Sequence, residues 1–126
     1  MTKVLYVEDH EAQRDVMEQM LALFGYEVDM ASNGEEGVER AQEWRPDVVL
    51  MDIRMPGRID GLVAIRQLRG GPDTADIPII AISAWGTAKH KERAMSAGAD
   101  AHFTKPVPIE ELIAAINRHL MQPPCG

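Results

Sequence analysis

Two short runs, DVVLM at Asp47–Met51 and IPIIAI at Ile77–Ile82, constrain the fold of this chain more than any other feature. Neither alternates apolar with polar residues, which is the pattern of a strand covered on both faces by helices. Such strands lie parallel, and a parallel neighbour needs a crossover long enough to hold a helix. The intervening segments supply those helices. Lys3–Val7 (KVLYV) reads as a first strand; in the HEAQRDVMEQMLALF that follows, Val16, Met17, Met20, Leu21 and Phe24 recur at helical spacing before Gly25 as a stop. Asp9 stands where the N-cap of that helix would be. Tyr26–Met30 alternates as a second strand, Asn33-Gly34 opens the helical GEEGVERAQEW, and Pro46 ends it. Leu62–Arg69 reads as a third helix closed by Gly70-Gly71-Pro72, and Thr87–Ala97 as a fourth ended by Gly98. Asp100–Phe103 is a short fifth strand, and Val107–Leu120 a closing amphipathic helix. Met17, Met20, Met51 and Met95 are expected to fill gaps in the core.

Five strands alternating with five helices place the chain in the α/β class, with a mainly parallel sheet. Its 126 residues suit one domain, expected over residues 1–121 with a short tail at 122–126. A hydrophobic fraction of 45% and a charged fraction of 26% are those of a globular chain and argue against disorder. No apolar run approaches the ~18 residues of a membrane span, so a soluble, cytoplasmic protein without membrane contact is expected. The net charge of −7 argues against direct nucleic-acid binding, which needs a basic face to displace counterions. The lone Cys125 permits no intrachain disulfide, and His10, His90, His102 and His119 show no zinc-site spacing.

In open sheets of this kind ligands bind outside the carboxyl ends of the strands. Four strands end there on a reactive or charged residue: Glu8 and Asp9 after the first, Asp52 after the third, Ser83 after the fourth, Lys105 after the fifth. Three carboxylates close together repel one another, and an oxygen-preferring divalent cation such as Mg²⁺ is the simplest neutraliser. Mg²⁺ keeps open positions for phosphate oxygens, while Lys105 offers a compact charge and Ser83 a hydroxyl donor. Phosphoryl transfer asks of a protein mainly positioning and charge neutralisation, which this set provides. Asp52 is the best candidate nucleophile, because it ends the most buried strand while Glu8 and Asp9 form an adjacent pair suited to metal. Taken singly, Asp9 reads as a helix cap and Asp52 as a solvated strand end. The sharper reading rests on the set.

The residues VEDH at 7–10, VVLMDIRMP at 48–56, DG at 60–61, AISAW at 81–85 and AGADAHFTKP at 97–106 together resemble the receiver domain of two-component response regulators. The resemblance covers nearly the whole chain in order. It implies a doubly wound, flavodoxin-like sheet of strand order 2-1-3-4-5 flanked by five helices. It further implies that Glu8, Asp9, Asp52 and the Arg54 backbone carbonyl hold Mg²⁺, with Mn²⁺ able to substitute, and that no other cofactor is bound. Asp52 would accept a phosphoryl group from a histidine kinase or histidine phosphotransfer protein. Ser83 and Lys105 would contact that group, and the Lys105-Pro106 bond would be cis. Phosphorylation would alter the surface of the fourth helix, fifth strand and fifth helix for a downstream protein or output domain. The chain would thus be a switch and not an enzyme, either free-standing or one part of a longer regulator.

Two departures from the family pattern stand out, His102 and a longer loop, beside one mild variation at Ser83 that keeps the hydroxyl. His102 occupies a position usually held by Tyr or Phe, whose ring rotation couples phosphorylation to the output face. The loop between Pro56 and Asp60-Gly61 is one residue longer than usual, and Ser83 replaces the commoner Thr. His102 reads as a partly buried structural residue in preference to a pH sensor; Trp85 either shields the site or packs its loop. Competing classes are a phosphorylation-independent adaptor of the same fold and an aspartyl-phosphate phosphohydrolase. The latter needs a DxD pattern, and Arg54 stands where its second Asp would be. A flavin site of similar topology is disfavoured because EDHEAQ, after the first strand, would repel a phosphate.

Overall fold

The computed structural model describes residues 2–54, 59–84 and 88–121. Much of the longer loop after Asp52, together with Trp85, Thr87 and the tail with Cys125, lies outside the described residues. The elements follow the expected alternation: β1 (Lys3–Val7), α1 (Glu11–Leu23), β2 (Glu27–Ala31), α2 (Gly34–Trp44), β3 (Val48–Asp52), α3 (Gly61–Gly70), β4 (Ile79–Ser83), α4 (Ala88–Ala97), β5 (Ala101–Thr104) and α5 (Ile109–Met121). The five strands form one parallel sheet in the order β2-β1-β3-β4-β5, the doubly wound, flavodoxin-like arrangement.

The apolar runs occupy the middle of the sheet for a physical reason. Every residue of β3 and β4 is buried, because helices cover both faces there. The edge strands β2 and β5 are only partly buried and carry the polar residues Glu27, Asp29, His102 and Thr104. Strand alternation divides the core in two. Leu5, Val7, Val49, Met51, Ile79 and Ala81 face Val38, Ala41, Ile65, Leu68 and Ala94, from α2, α3 and α4. Val4, Tyr6, Val48, Leu50, Ile80 and Ile82 face Leu21, Leu112 and Ile116, from α1 and α5.

Local signals set most helix ends. Gly25 has φ +88 just after α1, a left-handed conformation that glycine adopts without penalty. Asn33 caps α2 by accepting from the Glu36 N–H at 2.8 Å, and Asp60 caps α3 by accepting from the Val63 N–H at 2.9 Å. One expectation is corrected here: the N-cap of α1 is His10, not Asp9, and its side chain makes no capping hydrogen bond. The Asp9 carboxyl lies instead beside that of Glu8 and the His10 ring, with its Oδ1 buried. The second strand also begins one residue later than its alternation suggested, because Tyr26 turns into the core beside α5 and donates to Asn117 Oδ1 at 2.8 Å. Replacing Asp60 by alanine removes a working cap, so Asp60→Ala is expected to cost about 1 kcal/mol. Urea denaturation should register this as a lower midpoint with an unchanged slope.

Candidate functional site

The parallel register delivers the carboxyl ends of β1, β3, β4 and β5 to one edge of the sheet. Glu8 follows β1 and is fully buried, Asp52 ends β3 with 3% of its surface exposed, and Ser83 ends β4 equally buried. Lys105 follows β5, anchored by its backbone N–H donating to the Ser83 carbonyl at 2.8 Å. The Lys105-Pro106 peptide bond is cis. The Lys105 ammonium points inward and donates to Glu8 Oε1 at 2.6 Å, Asp52 Oδ2 at 2.8 Å and Gln13 Oε1 at 2.8 Å. It therefore ties together groups 97, 53 and 92 residues away in sequence.

The other oxygens are shared out with little overlap. Asp52 Oδ1 accepts from the Arg54 backbone N–H at 3.1 Å. Glu8 Oε1 also accepts from the Tyr6 hydroxyl at 3.3 Å, whereas Glu8 Oε2 faces His10, whose backbone N–H and Nδ1 both lie 3.5 Å away. Asp9 Oδ1 is buried and has no hydrogen-bond partner among the described residues, although His10 Nδ1 is 3.3 Å off. Among those residues, the atoms within 4.8 Å of one another that suit a cation come from Glu8, Asp9 and His10. Asp52 joins them through Lys105.

Electrostatics follow from this crowding. Burial, and then the Glu8 carboxylate, push Asp52 up to about 7 despite Lys105. Burial alone would raise Glu8 too, but its hydrogen bonds to Asp52 and Lys105 hold it at about 2. The two titrate as a pair, with the proton favoured on Asp52. Burial and Glu8 raise Asp9 as well. Burial opposes the Lys105 ammonium, yet Asp52 and Glu8 outweigh it and hold its pKa above the usual lysine value. Tyr6 is raised by burial and by Glu8, so it stays a neutral donor. A divalent cation fits this donor set: it would neutralise the carboxylates and satisfy the orphaned Asp9 oxygen with the hard ligands such ions prefer.

Ser83 Oγ and His102 Nε2 lie 2.8 Å apart, with the hydroxyl as donor when Nδ1 carries the ring proton. Burial, then the nearby Lys91 and His90, lower the His102 pKa, which keeps the ring neutral. Sequence reasoning brought Glu8, Asp52, Ser83 and Lys105 to this edge, but it missed Gln13 and Tyr6. Both had a signal: Tyr6 shares a strand face with Glu8 at i+2, and Gln13 lies in the first turn of α1, four residues after Asp9.

The chain matches the sequence profile of the response regulator receiver domain over residues 4–117. It is 38% identical over 114 residues to Response regulator MprA of Mycobacterium leprae, covering 90% of this chain and 49% of that protein. It is 33% identical over 116 residues to the DNA-binding dual master transcriptional regulator RpaA of Synechocystis sp., covering 92% and 48% respectively. The chain thus spans about half the length of these relatives. Among solved structures, the receiver domain of sensor histidine kinase PA1611 from Pseudomonas aeruginosa superposes with TM-score 0.89 at 32% identity, covering 96% of this chain and 98% of that one. That structure holds a magnesium ion coordinated in its active-site cleft. Chemotaxis protein CheY4 of Vibrio cholerae gives TM-score 0.86 at 30% identity, covering 94% and 98%.

Proposed function

The chain belongs to the response regulator receiver family of two-component systems, and on that premise we propose that it is a phosphorylation-dependent switch whose acceptor is Asp52. The observation that carries this reading is the Lys105 ammonium held against both Glu8 and Asp52 at the end of the buried strand β3. An Asp52 carboxylate oxygen forms the new bond to phosphorus as the donor's bond to phosphorus breaks; a phosphohistidine on a histidine kinase or phosphotransfer protein is the donor proposed. Lys105 then offsets charge on the phosphoryl oxygens. Ser83, at the end of the adjacent strand, supplies a hydroxyl to the same group.

Glu8, Asp9, Asp52 and the Arg54 carbonyl are the groups that would hold Mg²⁺, or Mn²⁺ in its place. When bound, the cation neutralises the carboxylates and the developing charge. His102 is proposed as the coupling residue. Once Ser83 turns to the phosphoryl group, the imidazole loses its hydroxyl partner and is free to change rotamer, which would alter the α4, β5 and α5 surface for a downstream protein. The acidic balance disfavours nucleic acid as that partner. No helix among the described residues is long and apolar enough to cross a membrane.

Incubation with Mg²⁺ and a small phosphodonor should add the mass of one phosphate, which does not form when the cation is chelated beforehand and is absent from Asp52→Asn. A labile phosphate that persists in that variant would reassign the acceptor. Partner binding indifferent to both donor and variant would instead favour an adaptor independent of phosphorylation.

A further inference from the structure

His10 has no structural duty that accounts for it. It stands at the N-cap of α1 without a side-chain capping bond, and about two-thirds of its side chain is exposed. Its ring nonetheless reaches back over the acidic pair, with Nδ1 3.3 Å from Asp9 Oδ1 and 3.5 Å from Glu8 Oε2. Donor atoms bound at ~2.1 Å to one tetrahedral ion stand ~3.4 Å apart, so both distances from His10 Nδ1 have the spacing of a shared coordination sphere, and ligand atoms of all three residues lie within 4.8 Å of one another. Their other commitments are few: Glu8 Oε2 accepts only a long hydrogen bond, 3.5 Å from the His10 backbone N–H, among the described residues. Glu8 Oε1 is committed to Lys105 and Tyr6, which leaves Oε2 facing His10, and Asp9 Oδ1 has no hydrogen-bond partner among the described residues.

We propose that His10 is a specificity-determining ligand, which lets the divalent-cation site take a nitrogen-preferring transition ion such as Co²⁺, Ni²⁺ or Zn²⁺ in competition with Mg²⁺. The inference rests on the reading that Glu8 and Asp9 hold the cation. Two carboxylates alone suit hard ions, whereas an added imidazole shifts preference along the Mn²⁺ to Zn²⁺ series. Because Glu8 and Asp9 would serve either ion, occupation is exclusive. The ion bound through His10 is drawn towards α1, away from Asp52, which lies outside the cluster of atoms within 4.8 Å of one another.

Co²⁺ is a suitable probe for the intact chain, since its visible absorption reports both occupancy and coordination. His10→Ala should weaken Co²⁺ about tenfold or more and alter the band shape, with Mg²⁺ affinity by calorimetry changed less than about twofold. Mg²⁺ should displace Co²⁺ from the unmodified protein. Equal Co²⁺ affinity in His10→Ala and the parent chain would overturn the proposal, as would a parallel loss of Mg²⁺. Asp9→Asn separates the two levels of argument. It should weaken both ions; Mg²⁺ binding unaffected by it would overturn the underlying cation site itself, while a loss of both ions there with Co²⁺ unmoved by His10→Ala would overturn only the role of His10.

Discussion

Gly61→Ala is expected to destabilise the domain by about 3 kcal/mol and to slow phosphorylation of Asp52 by roughly a hundredfold. The reason is a contact between two pieces of backbone. A Cβ at position 61 would fall 2.1 Å from the Asp52 carbonyl oxygen, 2.6 Å from the Ile53 Cα and 2.9 Å from the Asp52 carbonyl carbon. The Gly61 N–H also donates to the Ile53 carbonyl at 2.9 Å, which pins the start of α3 against the end of β3. No side-chain rotation can relieve such a clash, so the methyl group must push either α3 or the Asp52 peptide away. The first loses packing of Ala64, Ile65 and Leu68 on the sheet, and the second moves the proposed acceptor, Asp52, from Lys105. Chemical denaturation and a phosphorylation time course at saturating Mg²⁺ measure the two effects. A variant with parental stability and parental rate would show that this close approach is not needed.

Asp52→Asn should be more stable than the parent chain at alkaline pH in the absence of divalent cations, by an amount on the order of 2 kcal/mol. Asp52 titrates at about 7 in the folded chain, against an ordinary value of 3.8. A raised carboxyl pKa means the folded state binds its proton more tightly than the unfolded chain does. Its contribution to stability is therefore complete below about pH 4 and is lost as pH rises through about 7. Glu8 runs the other way: held at about 2 against 4.5, it contributes fully above about pH 4.5 and loses that contribution only as pH falls through about 2. Of these two groups only Asp52 changes between roughly pH 5 and pH 7, and the His102 contribution is common to both chains, so the gap between Asp52→Asn and the parent should open across that window and level off above it. Saturating Mg²⁺ should narrow it by neutralising the carboxylates. Urea melts at several pH values test this; a gap constant with pH would mean that Asp52 is ionised throughout.

The motif Asp60-Gly61 shows how far sequence reasoning reaches. It was legible as a family signature and as a loop ending before a helix, and the capping role of Asp60 follows from local rules. The demand for glycine beside it does not, because the clashing atoms belong to Asp52 and Ile53, on another element. Asp9 shows the opposite failure. Local rules made it the cap of α1, but the carboxyl turned into the site and left His10 at the cap position. Gln13 and Tyr6 went unremarked for the same reason, since each matters only through a group that folding brings to it.

What the chain's own order of residues determined is whatever depends on near neighbours. That covers the alternation of five strands and five helices, the burial of β3 and β4, the stops at Gly25 and Gly71, and the presence of acid, hydroxyl and amine at strand ends. Periodicity and capping act over a few residues, so they can be read without the fold. Tertiary structure alone decided which oxygens Lys105 ties together, which oxygen of Glu8 is left for His10, and that Ser83 meets His102. Those choices depend on the register of a parallel sheet, which aligns strand ends many residues apart to within a hydrogen bond's length, a distance that local sequence does not encode.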